Sequence, residues 1–179
     1  MKMLKKLLAV VLTGAMALTL FTACGSNAVT EKNIADVLND MAKAEGTNVT
    51  FTPQAKEREM ARKIAALLEG KASDNESEDE IKEILGCNEA NPKNFVWYQL
   101  ALTDGIGTSG QAVQIVYNVL SSSNAKNAEN ENLENKEPAD TRYMGTALCK
   151  MGGDDGQQVT MRVIVVTAKA EDPQQPGKA

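Results

Sequence analysis

The chain has 179 residues, with 19 basic and 24 acidic side chains, three cysteines and no histidine, for a net charge of −5 at pH 7. Without histidine it can build neither a Ser-His-Asp or Cys-His nucleophilic site nor an imidazole metal set. The acidic balance, with no basic stripe, argues against nucleic acid and against charge-driven binding to anionic lipid.

Residues 1–6 carry Lys2, Lys5 and Lys6, and residues 7–23 form an uncharged apolar run that closes on Leu20-Phe-Thr-Ala-Cys24-Gly-Ser. A basic start, a small residue at Ala23 and an immediate polar change after Cys24 mark a processed secretion signal over 1–23 rather than a membrane span. The segment resembles a bacterial lipoprotein signal, which implies that Cys24 is lipidated and anchors the chain to the envelope, on the outer face of the cytoplasmic membrane or on an outer membrane. Phe21 departs from the usual leucine of that signal. Removal of 1–23 makes the remainder more acidic and leaves Cys87 and Cys149, for which a bridge is chemically permitted on the oxidising side of a membrane. Such a bridge would close a long loop worth about 4 kcal/mol in the chain-entropy model; two buried thiols are the alternative.

Residues 24–32 read as a polar tether, followed by one domain over 33–170. Ile34, Val37, Leu38 and Met41 follow helical spacing, predicting a helix over about 33–45 that stops at Gly46. Asn48–Phe51 reads as an extended link, and Thr52-Pro53 as an N-cap with proline at the first helical position, opening a helix over 53–69. Its apolar face is Met60, Ala61, Ile64, Ala65, Leu67 and Leu68; Glu57, Arg58, Glu59, Arg62 and Lys63 belong mostly to the wet side. Ser77-Glu-Asp-Glu80 reads as a capping box for a short helix over 77–85, closed by Gly86.

Phe95 to Leu102 carries the only tryptophan, Trp97, beside Tyr98, and predicts a strand over 94–103. Gly105, Gly107 and Gly110 echo a phosphate-binding glycine loop before a helix over 110–121, but no ribose-binding acid follows in a βαβ unit. Residues 121–140 are polar apart from Leu133 and read as a loop or a docked helix, with a surface for a partner protein. Residues 142–151 and 158–169 form a hairpin around Gly152-Gly-Asp-Asp-Gly156, with Asp154 and Asp155 supplying turn chemistry. The second strand is apolar on both faces, Val163 and Val165 against Ile164 and Val166, so it needs cover above and below. The fold expected is therefore α+β, a three-layer α-β-α sandwich with a small, mainly antiparallel sheet. Residues 171–179 read as a flexible tail.

This order of elements resembles the CAP superfamily, also called SCP or cysteine-rich secretory, in its bacterial YkwD-like branch. The resemblance runs from about Ile34 to Lys169 and rests on the helix Val37–Gly46, the segment Phe51–Ile64, the stretch Ser121–Lys126 and the hairpin beginning Tyr143-Met-Gly-Thr-Ala147. It implies a groove where intact members place two histidines and one or two glutamates. On this register those positions hold Ile64, Asn124 or Ala125, Tyr98 and Gln111, so no metal or other cofactor is expected. What the resemblance leaves is a metal-free groove lined by Ile64, Trp97 or Tyr98, Gln99, Gln111 and Asn124, taking a peptide, glycan or lipid-like ligand. Two readings compete with it. Trp97 and Tyr98, adjacent on a strand, can instead be sheet core, and a carboxylate or Ser/Lys site can support hydrolysis without histidine.

Overall fold

The computed structural model describes residues 29–152 and 156–173. The expectations for the signal, for lipidated Cys24, for Asp154 and Asp155 and for 174–179 lie outside them. Helix α1 spans Glu31–Ala44, strand β1 Thr50–Pro53, α2 Ala55–Leu68, α3 Glu78–Leu85, β2 Asn94–Leu102, α4 Thr108–Leu120, β3 Glu137–Gly152 and β4 Gln158–Glu171, with short 3-10 turns at Asn75–Ser77 and Ser122–Asn124. Among the described residues the fold is mixed α/β, four helices with one open four-stranded sheet in the order β1-β3-β4-β2. β1 runs parallel to β3, and the two remaining pairs are antiparallel.

Successive residues of a strand point to opposite faces, and here each face has its own apolar cluster. One gathers Ile34 and Leu38 of α1, Ile115 and Val119 of α4, and Trp97, Met144, Ile164 and Val166 of the strands. The other gathers Ile64 and Leu68 of α2, Ile81 and Leu85 of α3, and Tyr98, Cys149, Val163 and Val165. The continuous apolar run of β4 is thus used on both sides.

Several local expectations are corrected. Thr52 and Pro53 do not open α2; they extend the short link into β1, opposite Tyr143 and Met144, and Gln54 is the N-cap residue. Proline is tolerated there because β1 is an edge strand. The Gln54 amide turns inward to the Met144 carbonyl at 2.8 Å. Ser77 precedes α3 but makes no capping bond, because its hydroxyl is taken by the Lys71 ammonium. Glu57 is buried rather than wet, accepting the Thr167 hydroxyl at 2.7 Å. The cause is Gly145: a Cβ at that position would overlap the backbone of Glu57 and Arg58, so the first turn of α2 lies directly on β3. Strand β3 also begins earlier than expected, with Glu137 opposite Glu171 and a register shift between Pro138 and Arg142.

β1 covers only Thr141 to Met144 of the edge of β3. Farther along, the Thr146 amide donates to the Glu31 carboxylate at 2.8 Å and the Lys150 amide to Glu69 at 3.0 Å, while Gly70 donates to the Lys150 carbonyl at 2.7 Å. The free edge of β2 is closed similarly. Asn127 accepts from the Val96 amide at 3.1 Å and donates to the Asn94 carbonyl at 2.9 Å, and Gln114 brackets the amide and carbonyl of Leu102. Side chains in these positions satisfy backbone groups that would otherwise recruit another strand.

Candidate functional site

The six residues expected to line one groove divide between the two sides of the sheet. Ile64 and Tyr98 belong to the cluster under α2 and α3, whereas Trp97 belongs to the cluster under α1 and α4. Trp97 is fully buried and donates from Nε1 to the Ser121 carbonyl at 2.9 Å. The Arg142 guanidinium lies 4.8 Å from its ring centroid and donates from Nη2 to the Leu120 carbonyl at 3.1 Å, so a cation closes the C-terminal end of α4. Burial pulls the Arg142 guanidinium down to about 10, with Asp140 opposing the shift.

Gln111 is also buried. It accepts the Arg162 Nε–H at 2.7 Å and donates to the Ile106 carbonyl at 2.8 Å, holding the glycine loop against the start of α4. Gln99 and Asn124 meet only through Asn118, at 3.0 and 3.4 Å. The groove inferred from the resemblance therefore does not assemble from these residues. Ile64, Trp97 and Gln111 are enclosed, and alternation along β2 sends Trp97 and Tyr98 to different sides. Cys87 and Cys149 are free thiols in the same apolar cluster, Cys87 half-buried and Cys149 buried.

Tyr98 borders an opening. A cleft of about 140 Å³ lies between α3, the Asp74–Asn75 turn and Lys126 beyond α4, floored by Ile81 and Leu85. The Tyr98 hydroxyl donates to Asp74 Oδ2 at 3.3 Å, and the Lys126 ammonium stands 5.7 Å from the tyrosine ring centroid. Glu78 and Lys82, one helical turn apart on α3, pair across the mouth at 2.8 Å. That pairing lowers the Glu78 carboxyl and raises the Lys82 ammonium from their ordinary ranges. Burial first, then the Asp74 charge and its hydrogen bond, push the Tyr98 phenol well above its usual range. It stays protonated at physiological pH and acts as a donor rather than a base.

The cleft therefore offers two amines, two carboxylates, a phenol and an apolar floor, a set suited to holding a polar ligand. Beside it, Lys71 and Ser77 form a Ser/Lys contact, but the serine is wholly buried. A larger hollow of about 590 Å³ lies at the far end of the sheet, where Glu137, Asp140, Tyr143, Lys169 and Glu171 surround the irregular start of β3. Sequence reasoning missed Asp74, Lys82 and Lys126. The first two sit in charged or turn-like stretches that read as solvated surface, and Lys126 follows a polar loop whose docking depends on Asn127. No family model, no curated protein and no solved structure matches this chain.

Proposed function

We propose that the chain is a lipid-anchored, non-catalytic binding module of the bacterial cell envelope, carried on a three-layer α-β-α domain with a CAP-like order of elements. The lipoprotein-type signal ending at Cys24 supports the anchor, and the apolar clusters on the two faces of the sheet support the layering. The ligand is a peptide, glycan or lipid-like molecule with polar groups, or an exposed segment of a partner protein. The observation that carries this reading is the cleft at Tyr98, where a phenol held by Asp74 and the Lys126 cation border an opening with an apolar floor.

The test is a nuclear magnetic resonance titration of the chain from Ser26 onward with short peptides and oligosaccharides. Shifts confined to residues around Asp74, Tyr98 and Lys126, and lost in Lys126→Ala and Tyr98→Phe, are the expected outcome. Shifts elsewhere, unaffected by either change, would remove the cleft from consideration. A second reading, a hydrolase using Ser77 activated by Lys71, is favoured by their contact. Burial of Ser77 works against it, because a nucleophile must reach its substrate. Labelling of Ser77 by a fluorophosphonate would revive it; an unlabelled serine is the result expected of a binding module.

A further inference from the structure

We propose that the end of the sheet at Arg162 is the face that rests on the lipid bilayer, an inference that depends on the anchor proposed at Cys24. Arg162 is buried and spends its guanidinium on three partners: Gln111 Oε1 at 2.7 Å, the Thr146 hydroxyl at 3.1 Å and the Val29 carbonyl at 3.1 Å. The next two residues are fastened as well. The Thr30 hydroxyl accepts the Asn33 amide at 3.1 Å, and the Glu31 carboxylate takes the Thr146 amide and the Arg58 guanidinium. The chain is thus tied to the body of the domain from Val29 onward, five residues after Cys24. Five residues span at most about 18 Å even when fully extended. An acylated Cys24 at headgroup depth therefore keeps the Arg162 end of the sheet within that distance of the membrane.

The side chains at this end fit such a contact. Leu148 stands opposite Arg162 on β3, and Leu102 stands opposite Met161 on β2. They are 54% and 46% exposed, the most exposed large apolar side chains among the described residues. Leu148 lies on the same side of the sheet as Val29 and Leu102 on the other, so they flank the sheet where it would meet lipid. The opposite end lacks exposed aliphatic side chains of this kind among the described residues. Five residues along β4 at Thr167, opposite Tyr143, to nine at Glu171, about 17–30 Å away, the hollow around Tyr143 is lined by Glu137, Asp140 and Glu171 with Lys169 the one amine among its lining residues. Carboxylates also stand at the Arg162 end, Asp104 on the Thr160 amide and Glu69 on the Lys150 amide, so the orientation rests on the tether length and on exposed Leu148 and Leu102 rather than on charge.

The test uses the full lipidated protein in vesicles of phosphatidylcholine and phosphatidylglycerol. The mass of the acylated N-terminal peptide and flotation with the vesicles, lost in Cys24→Ser, report the anchor alone. Orientation is read from quenching by brominated lipid in Leu148→Trp and Tyr143→Trp, each compared with the parent protein and its buried Trp97. Leu148→Trp is expected to be quenched at least threefold more than Tyr143→Trp, and a twenty-residue Gly/Ser insertion after Asn27 is expected to reduce that difference. Hydrogen exchange on the otherwise unmutated protein gives a second readout: amides around Leu102 and Leu148 exchange more slowly on vesicles than in Cys24→Ser. Normal flotation with equal quenching at the two positions, or with no local protection, overturns the orientation while sparing the anchor. Flotation that persists in Cys24→Ser, or an unacylated peptide, overturns the anchor and the orientation together.

Discussion

Gly145 shows how one missing Cβ sets the packing of a helix. It pairs with Val165 in the middle of the hairpin, and the backbone of Glu57 and Arg58 occupies the space where a side chain would begin. Gly145→Ala is expected to cost about 1–3 kcal/mol, since backbone must shift rather than a flexible side chain; urea denaturation measures it. Cys149 gives a pH-dependent counterpart. Burial, then the Glu69 charge, push its thiol up to about 11 from an ordinary value near 9. Between those values the unfolded state binds fewer protons than the folded one, so this contribution is present below about pH 9 and is lost as pH rises through about 11. Cys149→Ala should flatten that part of the stability profile, and the native thiol should resist alkylation at pH 8 until the protein unfolds. Neither property was legible in the sequence. A glycine inside a strand and a cysteine on an apolar face look alike whether or not a helix backbone or a carboxylate stands nearby.

At the scale of elements, helix and strand periodicities were legible and the edges were not. The expected strand over 94–103 is found at Asn94–Leu102 and the expected helix over 110–121 at Thr108–Leu120, because alternation and 3.6-residue spacing are local signals. Thr52-Pro53 misled because a threonine before proline has the same composition at a helix start and on a strand edge. What distinguished them was Tyr143 and Met144, some ninety residues away in the chain and adjacent in the sheet. Asn127 carries a comparable non-local role, with both ends of its amide on the edge of β2. Asn127→Ala leaves the Val96 amide without its partner and is expected to cost about 1–3 kcal/mol. The Val96 amide should then exchange faster, whereas amides of β1 should be unchanged. A uniform acceleration would instead mean that Asn127 supports the fold globally.

For the whole molecule, the decisive arrangement is that two apolar layers compete for the residues of one strand. Trp97 and Tyr98 were expected either to border a groove or to form core, and the sheet divides them. Trp97 is sealed beneath α4 with Arg142 across its ring, while the hydroxyl of Tyr98 reaches the cleft. Tyr98→Phe should therefore change folding stability by no more than about 1 kcal/mol, the net value of one hydrogen bond, and act chiefly on ligand binding. Trp97→Ala should cost about 3–5 kcal/mol, as the loss of a large core side chain does. Thermal unfolding of the pair separates the two roles; equal losses would put Tyr98 back among purely structural residues.

The sequence by itself determined the apolar pattern of β4 that requires cover on both faces, the acidic balance, the absence of imidazole chemistry and the basic, then apolar start that closes on Cys24. These depend on composition and on spacings of a few residues, which the chain carries whether folded or not. Only the tertiary structure decided that β1 joins the sheet in parallel, that Glu57 is buried, that Gln111 serves Arg162, and that Asp74, Tyr98 and Lys126 share a cleft. Each of those facts requires residues separated by more than twenty positions to meet. Their meeting is set by how helices and strands pack around one four-stranded sheet, a geometry that no local periodicity encodes.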